Sequence, residues 1–290
     1  MSIRRAVVTA ASPAEKSLPL QNLVDRQGEP KTALQLIADE AVDAGVEEIC
    51  VVICPGEAAN YEKAAGEHAN RLTFIEQDNP RGYGDALYRA KDFVGTDSFL
   101  HLVGDHVYIS QRDEGCAEQL VTLANQEACA VSGVQATRET LLPYFGAIGG
   151  RRTGAGNDLY EISKVLEKPT PTLAEQDLNM AGLRASHYLC LSGMHVLTPT
   201  VMDLLEQMIH DAPAGETIQL SPALDTLSKR ERYLAMEIKG RRYNIGVKYG
   251  LLKSQMALAL SGKDRDEVLT ELLDLVAAQP GTSSTVGNGR

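Results

Sequence analysis

The residues best suited to chemistry stand where apolar runs end. In "HLVGDHV", residues 101–107, Asp105 follows a buried-strand pattern directly. A carboxylate so placed can hold Mg2+ together with substrate phosphates, or simply cap a turn. His106 beside it also has a structural reading. In "KVLEKPTP", residues 164–171, Glu167 and Lys168 sit side by side before a strand-ending proline. Such a glutamate accepts from sugar hydroxyls and such a lysine meets a phosphate; a surface ion pair is the plain alternative. In "EQDNPRGYGDALYRA", residues 76–90, Gly82-Tyr83-Gly84 opens a helical pattern. The glycines would admit a planar ligand or a phosphate close to the backbone, although a plain turn fits the same residues. In "GETIQLSPALDTL", residues 215–227, Ser221-Pro222 reads as an N-cap and first helical residue.

These residues need elements to hold them. Strand-like and helix-like segments alternate through the first half. Arg5–Ala10, Glu48–Cys54, Leu72–Glu76, Ser98–Val103 and Ala128–Gln135 read as strands. Lys31–Ala44, Ala58–Ala69, Gly84–Phe93 and Gly115–Asn125 read as helices. The succession predicts an α/β fold with a doubly wound, mostly parallel sheet. Ligands in such sheets bind beyond the carboxyl ends of the strands, where Asp105 and residues 10–20 fall. The second half is more mixed. Gly146–Gly150, Tyr160–Leu166, Tyr188–Val196, Tyr233–Ile238 and Gly240–Ile245 are strand-like. Thr200–His210, Lys248–Ser261 and Asp266–Ala278 are helical in pattern. One α/β domain over 1–262 is expected, with a first half to about 135, then a helix at 263–278 and a disordered tail at 279–290.

Composition narrows the partners. The 290 residues carry a formal charge of −11 and no tryptophan, and 5% are aromatic. That argues against nucleic acid as a partner. No run approaches the ~18 apolar residues of a membrane span, and the start carries no signal-peptide pattern. Five cysteines without a C-x-x-C pair read as buried reduced thiols, which fits a cytoplasmic protein.

Order and spacing add what single motifs lack. The chain, over about residues 3 to 260, resembles the bacterial sugar-1-phosphate nucleotidylyltransferases, and within them the UTP–glucose-1-phosphate uridylyltransferases. "VVTAA" is similar to the first strand of that family, "EQDNPRGYGDAL" to its Q-x-x-P-x-G-x-G-x-A segment and "LVGDHV" to the strand ending in its metal aspartate. "PYFGAI", "VLEKP", "LSGMHVLTP", "GETIQLSPAL" and "RRYNIGVKYG" follow in family order. The resemblance implies a nucleotide-diphospho-sugar transferase fold. It implies that Ala10, Ala11, Gln77 and Gly82 bind the nucleotide, and that Gly146, Glu167, Gly193 and Glu216 lie near the sugar. It further implies that Lys16 and Lys168 act in catalysis, that Asp105 holds Mg2+ and that Asn244 stands at a second, weaker metal position. A homo-oligomer, dimer or tetramer, is also implied; an apolar stripe at Leu251, Leu252, Met256 and Leu258 fits a contact or a core equally well.

Three departures bear on the chemistry. The G-x-G-T-R phosphate loop is reduced to Ser12, a net loss of about six residues, and its arginine goes with it. The lysine expected after it is Leu20, and the aspartate of Y-D-x-G is Asn244. The implied reaction joins UTP and glucose 1-phosphate to give UDP-glucose and pyrophosphate. Such phosphoryl chemistry rests on charge neutralisation more than on proton transfer. Each lost preorganised donor costs ~10²–10³ in rate. Two readings result: a slow or altered uridylyltransferase, and an impaired homologue that binds a nucleotide sugar or sugar 1-phosphate and acts through a partner.

Overall fold

The computed structural model describes residues 2–153, 158–213 and 215–278. The tail expected at 279–290 lies outside them. β1 (Arg5–Ala10) is followed by a short hairpin, β2 (Asn22–Val24) and β3 (Pro30–Thr32), which periodicity did not suggest. α1 (Ala33–Asp43) starts where a capping box sits: Thr32 Oγ1 accepts from Gln35 N, and the Gln35 side chain accepts from Thr32 N. Then come β4 (Glu48–Ile53), α2 (Ala58–Ala65) with a 3-10 turn after it, and β5 (Leu72–Glu76). The single helix expected at Gly84–Phe93 is two, α3 (Tyr83–Tyr88) and α4 (Lys91–Val94). Between them the bonds shorten to i→i−3, Arg89 N to Ala86 O and Ala90 N to Leu87 O.

β6 (Phe99–Val103), β7 (His106–Ser110), α5 (Cys116–Glu127), β8 (Ala130–Arg138), β9 (Ala147–Arg152), β10 (Leu159–Leu166), α6 (Pro171–Asp177) and β11 (His187–Leu197) follow. The chain goes on through α7 (Thr200–Asp211), α8 (Leu220–Arg230), β12 (Tyr233–Glu237), β13 (Gly240–Asn244), α9 (Gly250–Leu260) and α10 (Arg265–Ala277). α8 begins at Leu220 with Gln219 as its cap, so Ser221 and Pro222 lie inside the first turn.

One nine-stranded sheet, ordered β5-β4-β1-β6-β11-β8-β12-β10-β9, runs through both halves. The first four strands are mutually parallel, as the apolar runs required. β11 enters antiparallel to both β6 and β8, so the second half is mixed. Side chains alternate across the sheet. Val7, Cys50 and Val52 pack with Leu87, Leu205 and Leu224 on one face, and Ala6, Val8 and Val51 with Leu34, Ile37 and Leu120 on the other. All five cysteines are buried and free. The stripe on α9 divides: Leu258 is buried with Leu23, Val107 and Ile109, while Leu252 is 56% exposed. α10 has no buried residue. Among the described residues no helix is long and apolar enough to cross a membrane.

Two features place the site. The carboxyl ends of β1, β4 and β6 lie together because those strands are parallel and in register. β7 and β13 form a separate two-stranded ribbon in which Asn244 stands opposite His106.

Candidate functional site

A cavity of about 1310 Å³ opens at these strand ends. Its walls come from the end of β1, the Gln77–Ala86 segment, Asp105 and His106, the 141–146 strap, Glu167 and Lys168, the middle of β11, the start of α8, and β13 with the start of α9. Of the residues expected at a site, Ala11, Gln77, Gly82, Asp105, Gly146, Glu167, Lys168, Gly193 and Asn244 line it. Ala10, Lys16 and Glu216 do not. Ala10 lies buried beneath, with its carbonyl 3.5 Å from the Tyr61 hydroxyl. Glu216 is exposed, and its neighbours Thr217 and Gln219 reach the cavity instead.

At one end Gln77 Nε2 donates to Asp85 Oδ2 at 2.5 Å and lies 3.4 Å from Gly82 O. The amide nitrogen is thus taken, and the group Gln77 offers a ligand is its carbonyl oxygen, an acceptor. Asp85 is itself buried and paired with Arg89 at 3.1 Å. Gly82 has φ +107, and a Cβ there would stand 2.6 Å from Thr217 Cγ2 and 2.7 Å from Ile218 O. Only glycine lets this strap close on the loop before α8. Beneath it, Tyr83 and His101 are joined at 2.6 Å. His101 Nδ1 lies 2.9 Å from Val7 O, so Nδ1 donates and Nε2 accepts from the tyrosine. Burial pushes His101 down to about 4, and it holds Tyr83 far above the usual tyrosine range.

At the other end Ser221 Oγ donates to Glu167 Oε2 at 2.5 Å. This is the work of the serine that sequence reading took for a helix cap. Lys168 Nζ stands 3.8 Å from Glu167 Oε1, with over half its side chain exposed. Lys168 has φ +44, a left-handed conformation uncommon outside glycine. It turns the chain sharply between Glu167 and Pro169. Pairing between β11 and β8 shifts between Leu191 and His195, and Gly193, at φ +74, bulges into the cavity there. Gly146, next to Phe145, lies close to Glu167 and Ser221.

Asp105 joins the two ends. Its Oδ1 meets His106 Nδ1 at 2.6 Å, and its Oδ2 accepts from Asn244 Nδ2 at 2.9 Å. Burial raises this carboxyl, but the His106 hydrogen bond and charge and the Asn244 donor outweigh it, holding Asp105 below the ordinary range. The Asn244 carbonyl oxygen accepts from Gly246 N at 2.7 Å and Val247 N at 3.2 Å. Two backbone donors therefore fix which way the amide points. Asn244 presents hydrogens, not an oxygen, to Asp105. These donors do not fit a divalent cation held between the two residues, where oxygens on both sides are required.

The shortened segment after β1 is folded back on the body. Glu15 N bonds Ser12 O and Leu18 N bonds Glu15 O. Pro19 is buried, Leu20 packs on the core, and Leu18 packs beside Ile245. Leu20 thus contributes packing where a cation was expected. Lys16 Nζ is 2.6 Å from Glu57 Oε1, outside the cavity lining, and that bond and charge raise its pKa. Sequence reading also missed residues that line or support the site. Asp85 sits in a quoted motif but was read as a helix position. Arg242, at the cavity wall, could be found only once β13 was known to lie beside β7.

Comparison with known proteins points to one family. The nucleotidyl transferase family model matches residues 24–259. The chain is 30% identical to a UTP–glucose-1-phosphate uridylyltransferase of Streptococcus pyogenes over 89% of each chain. It is 30% identical to that of Streptococcus pneumoniae over 94% of this chain and 96% of the relative. Among solved structures, a UDP-glucose pyrophosphorylase complexed with UDP-glucose superposes with a TM-score of 0.72 at 22% identity, over 88% of this chain and 98% of the other. The UDP-glucose pyrophosphorylase of Acinetobacter baumannii gives 0.73 at 23% identity, over 94% and 100%. A match over this much of the chain, with the cavity at the parallel strand ends, makes this protein a member of the nucleotidyl transferase family.

Proposed function

We propose that the chain binds a nucleotide sugar or a sugar 1-phosphate in this cavity and that it transfers uridylyl groups slowly or not at all. The observation that carries this reading is the Asn244 amide, whose nitrogen is turned to Asp105 by two backbone donors on its oxygen. Three things a triphosphate needs are then lacking at one end: a loop of backbone donors, a cation in place of Leu20, and a second carboxylate for Mg2+. Gln77, Gly82, Glu167 and Lys168 line the cavity, and under this reading they serve the base and sugar ends. Under this reading, binding of UDP-glucose does not require Mg2+.

A second reading is an enzyme making UDP-glucose from UTP and glucose 1-phosphate with an altered phosphate site. The match to UTP–glucose-1-phosphate uridylyltransferases over most of both chains favours it. Calorimetry of UDP-glucose with Mg2+ and with a chelator, beside pyrophosphate release from UTP and glucose 1-phosphate, separates the two. The first reading expects equal affinity in both buffers and turnover at least ~10²-fold below the ordinary ~1–10³ s⁻¹. Ordinary turnover would overturn it.

A further inference from the structure

One cation at the cavity wall is in contact with no carboxylate among the described residues; the charge of Asp105 reaches it only through space. Arg242, on β13 opposite Tyr108, sends its guanidinium to Leu191 O on β11, and its Cζ lies 3.7 Å from the centre of the Phe145 ring. The residue is only partly exposed and lines the cavity. Among the described residues Arg242 makes no ion pair. Several other half-buried cations are matched, Lys31 with Asp39 at 2.7 Å and Lys91 with Glu206 at 2.7 Å among them. The carboxylates deep in the cavity wall are engaged elsewhere, Asp105 by His106 and Asn244, Glu167 by Ser221. A guanidinium carries five N–H donors in a fixed fork, and one carbonyl uses only part of it. A sheltered charge without a counter-ion is costly, and it persists where an anion arrives to pair with it. Both anchors belong to the sugar end: Phe145 precedes Gly146, and Leu191 leads into the bulge at Gly193.

We propose that Arg242 is an anion-binding cation of this cavity, beside Lys168, and that its ligand is the phosphate next to the sugar, whether a hexose 1-phosphate or the diphosphate of a nucleotide sugar. The proposal rests on the reading that the cavity takes a sugar phosphate. It gives that reading a positive charge from β13 in a protein whose phosphate loop is gone.

The test uses Arg242→Met and Arg242→Lys in the full chain, with calorimetry of pyrophosphate, UDP-glucose and uridine, and thermal melting of each variant. Arg242→Met should bind pyrophosphate and UDP-glucose roughly ten- to a hundredfold more weakly, the loss of one charged contact, and uridine as before. Arg242→Lys, which keeps the charge but not the fork, should fall between. Unchanged affinity for both phosphate ligands in Arg242→Met would overturn the proposal. So would a parallel loss of uridine affinity, which marks a structural prop. If Arg242→Met does not fold, Arg242→Lys decides: a several-fold loss confined to phosphate ligands supports, and no loss overturns. Wild-type protein that binds pyrophosphate through Arg242 but not UDP-glucose would leave the proposal standing and remove the nucleotide-sugar reading. Wild-type protein that binds neither removes both.

Discussion

The Gln77 amide and the Asp85 carboxylate meet at 2.5 Å inside the wall of the cavity, and Asp85 is held from behind by Arg89. A carboxylate only accepts, so this contact decides which end of the Gln77 amide is left for a ligand, under the proposed function a base. Uracil offers an N3–H donor to that oxygen, whereas cytosine offers an acceptor at the same place. Asp85→Ala should therefore weaken UDP-glucose binding about fivefold, the worth of about 1 kcal/mol of lost positioning. The preference for UDP-glucose over CDP-glucose should narrow as well. Calorimetry of both nucleotides against both proteins checks it, and an unchanged ratio would remove Asp85 from base selection.

Asn244→Asp places a second carboxylate against Asp105. Without divalent cation the two like charges repel, so the variant should melt below the parent. Added Mg2+ should then raise the melting temperature of the variant and leave the parent unmoved. Turnover should hardly change, because the loop after β1 is still short. Melting curves with and without Mg2+ give the answer.

Lys168→Ala should weaken glucose 1-phosphate binding by roughly ten- to a hundredfold, from about 1.5–3 kcal/mol for a charged contact. Its side chain is more than half exposed, and its ion pair with Glu167 is long at 3.8 Å. The melting temperature should stay nearly constant. A plain surface ion pair would predict no change in either quantity.

Glu40 on α1 caps the start of α5, with Oε1 2.6 Å from Ala117 N. Burial raises its carboxyl to about 7 from an ordinary 4.5, so the folded state keeps a proton that the unfolded state has released. That contribution is present below about pH 4.5 and is lost as pH rises through 7. Glu40→Gln keeps an acceptor for Ala117 and removes the charge. It should stabilise the protein by about 1–3 kcal/mol at pH 8 and change little at pH 4.5. His101 works in the opposite direction. Its pKa, lowered from 6.5 to about 4, contributes stability above 6.5 that is lost as pH falls through 4. The Glu40→Gln variant should thus show the acid-side loss, about 3 kcal/mol for His101 alone, more plainly than the parent. Urea unfolding across pH 4 to 8 measures both slopes.

The parallel half of the sheet was legible because strands buried on both faces must be apolar throughout. "EICVVI" and "SFLHLV" can satisfy that condition in few other ways. Asp105, Glu167 and Lys168 were legible for a related reason, since polar residues that end such runs arrive at the ligand-binding edge. The shortened segment after β1 and the Leu20 and Asn244 replacements were equally visible as residue types. What those replacements do was not. Asn244 could have offered its oxygen to a cation, and only the backbone N–H groups of Gly246 and Val247 turn the amide the other way. Lys16 could have reached a phosphate, but folding places Glu57, at the start of α2, beside it. Ser221 could have capped a helix, but α8 starts two residues earlier, with Gln219 as its cap, and leaves the hydroxyl to Glu167. Arg242 gained a role only because β13 pairs with β7, a short ribbon whose register no periodicity encodes. Residue types and burial pattern pointed to most of the groups at the cavity, though they misplaced Ala10, Lys16 and Glu216 and passed over Arg242. Which atom of each group faces it depends on partners that the fold brings together, some near in the chain, such as Asp85 for Gln77, and some far, such as Ser221 for Glu167 and Asn244 for Asp105.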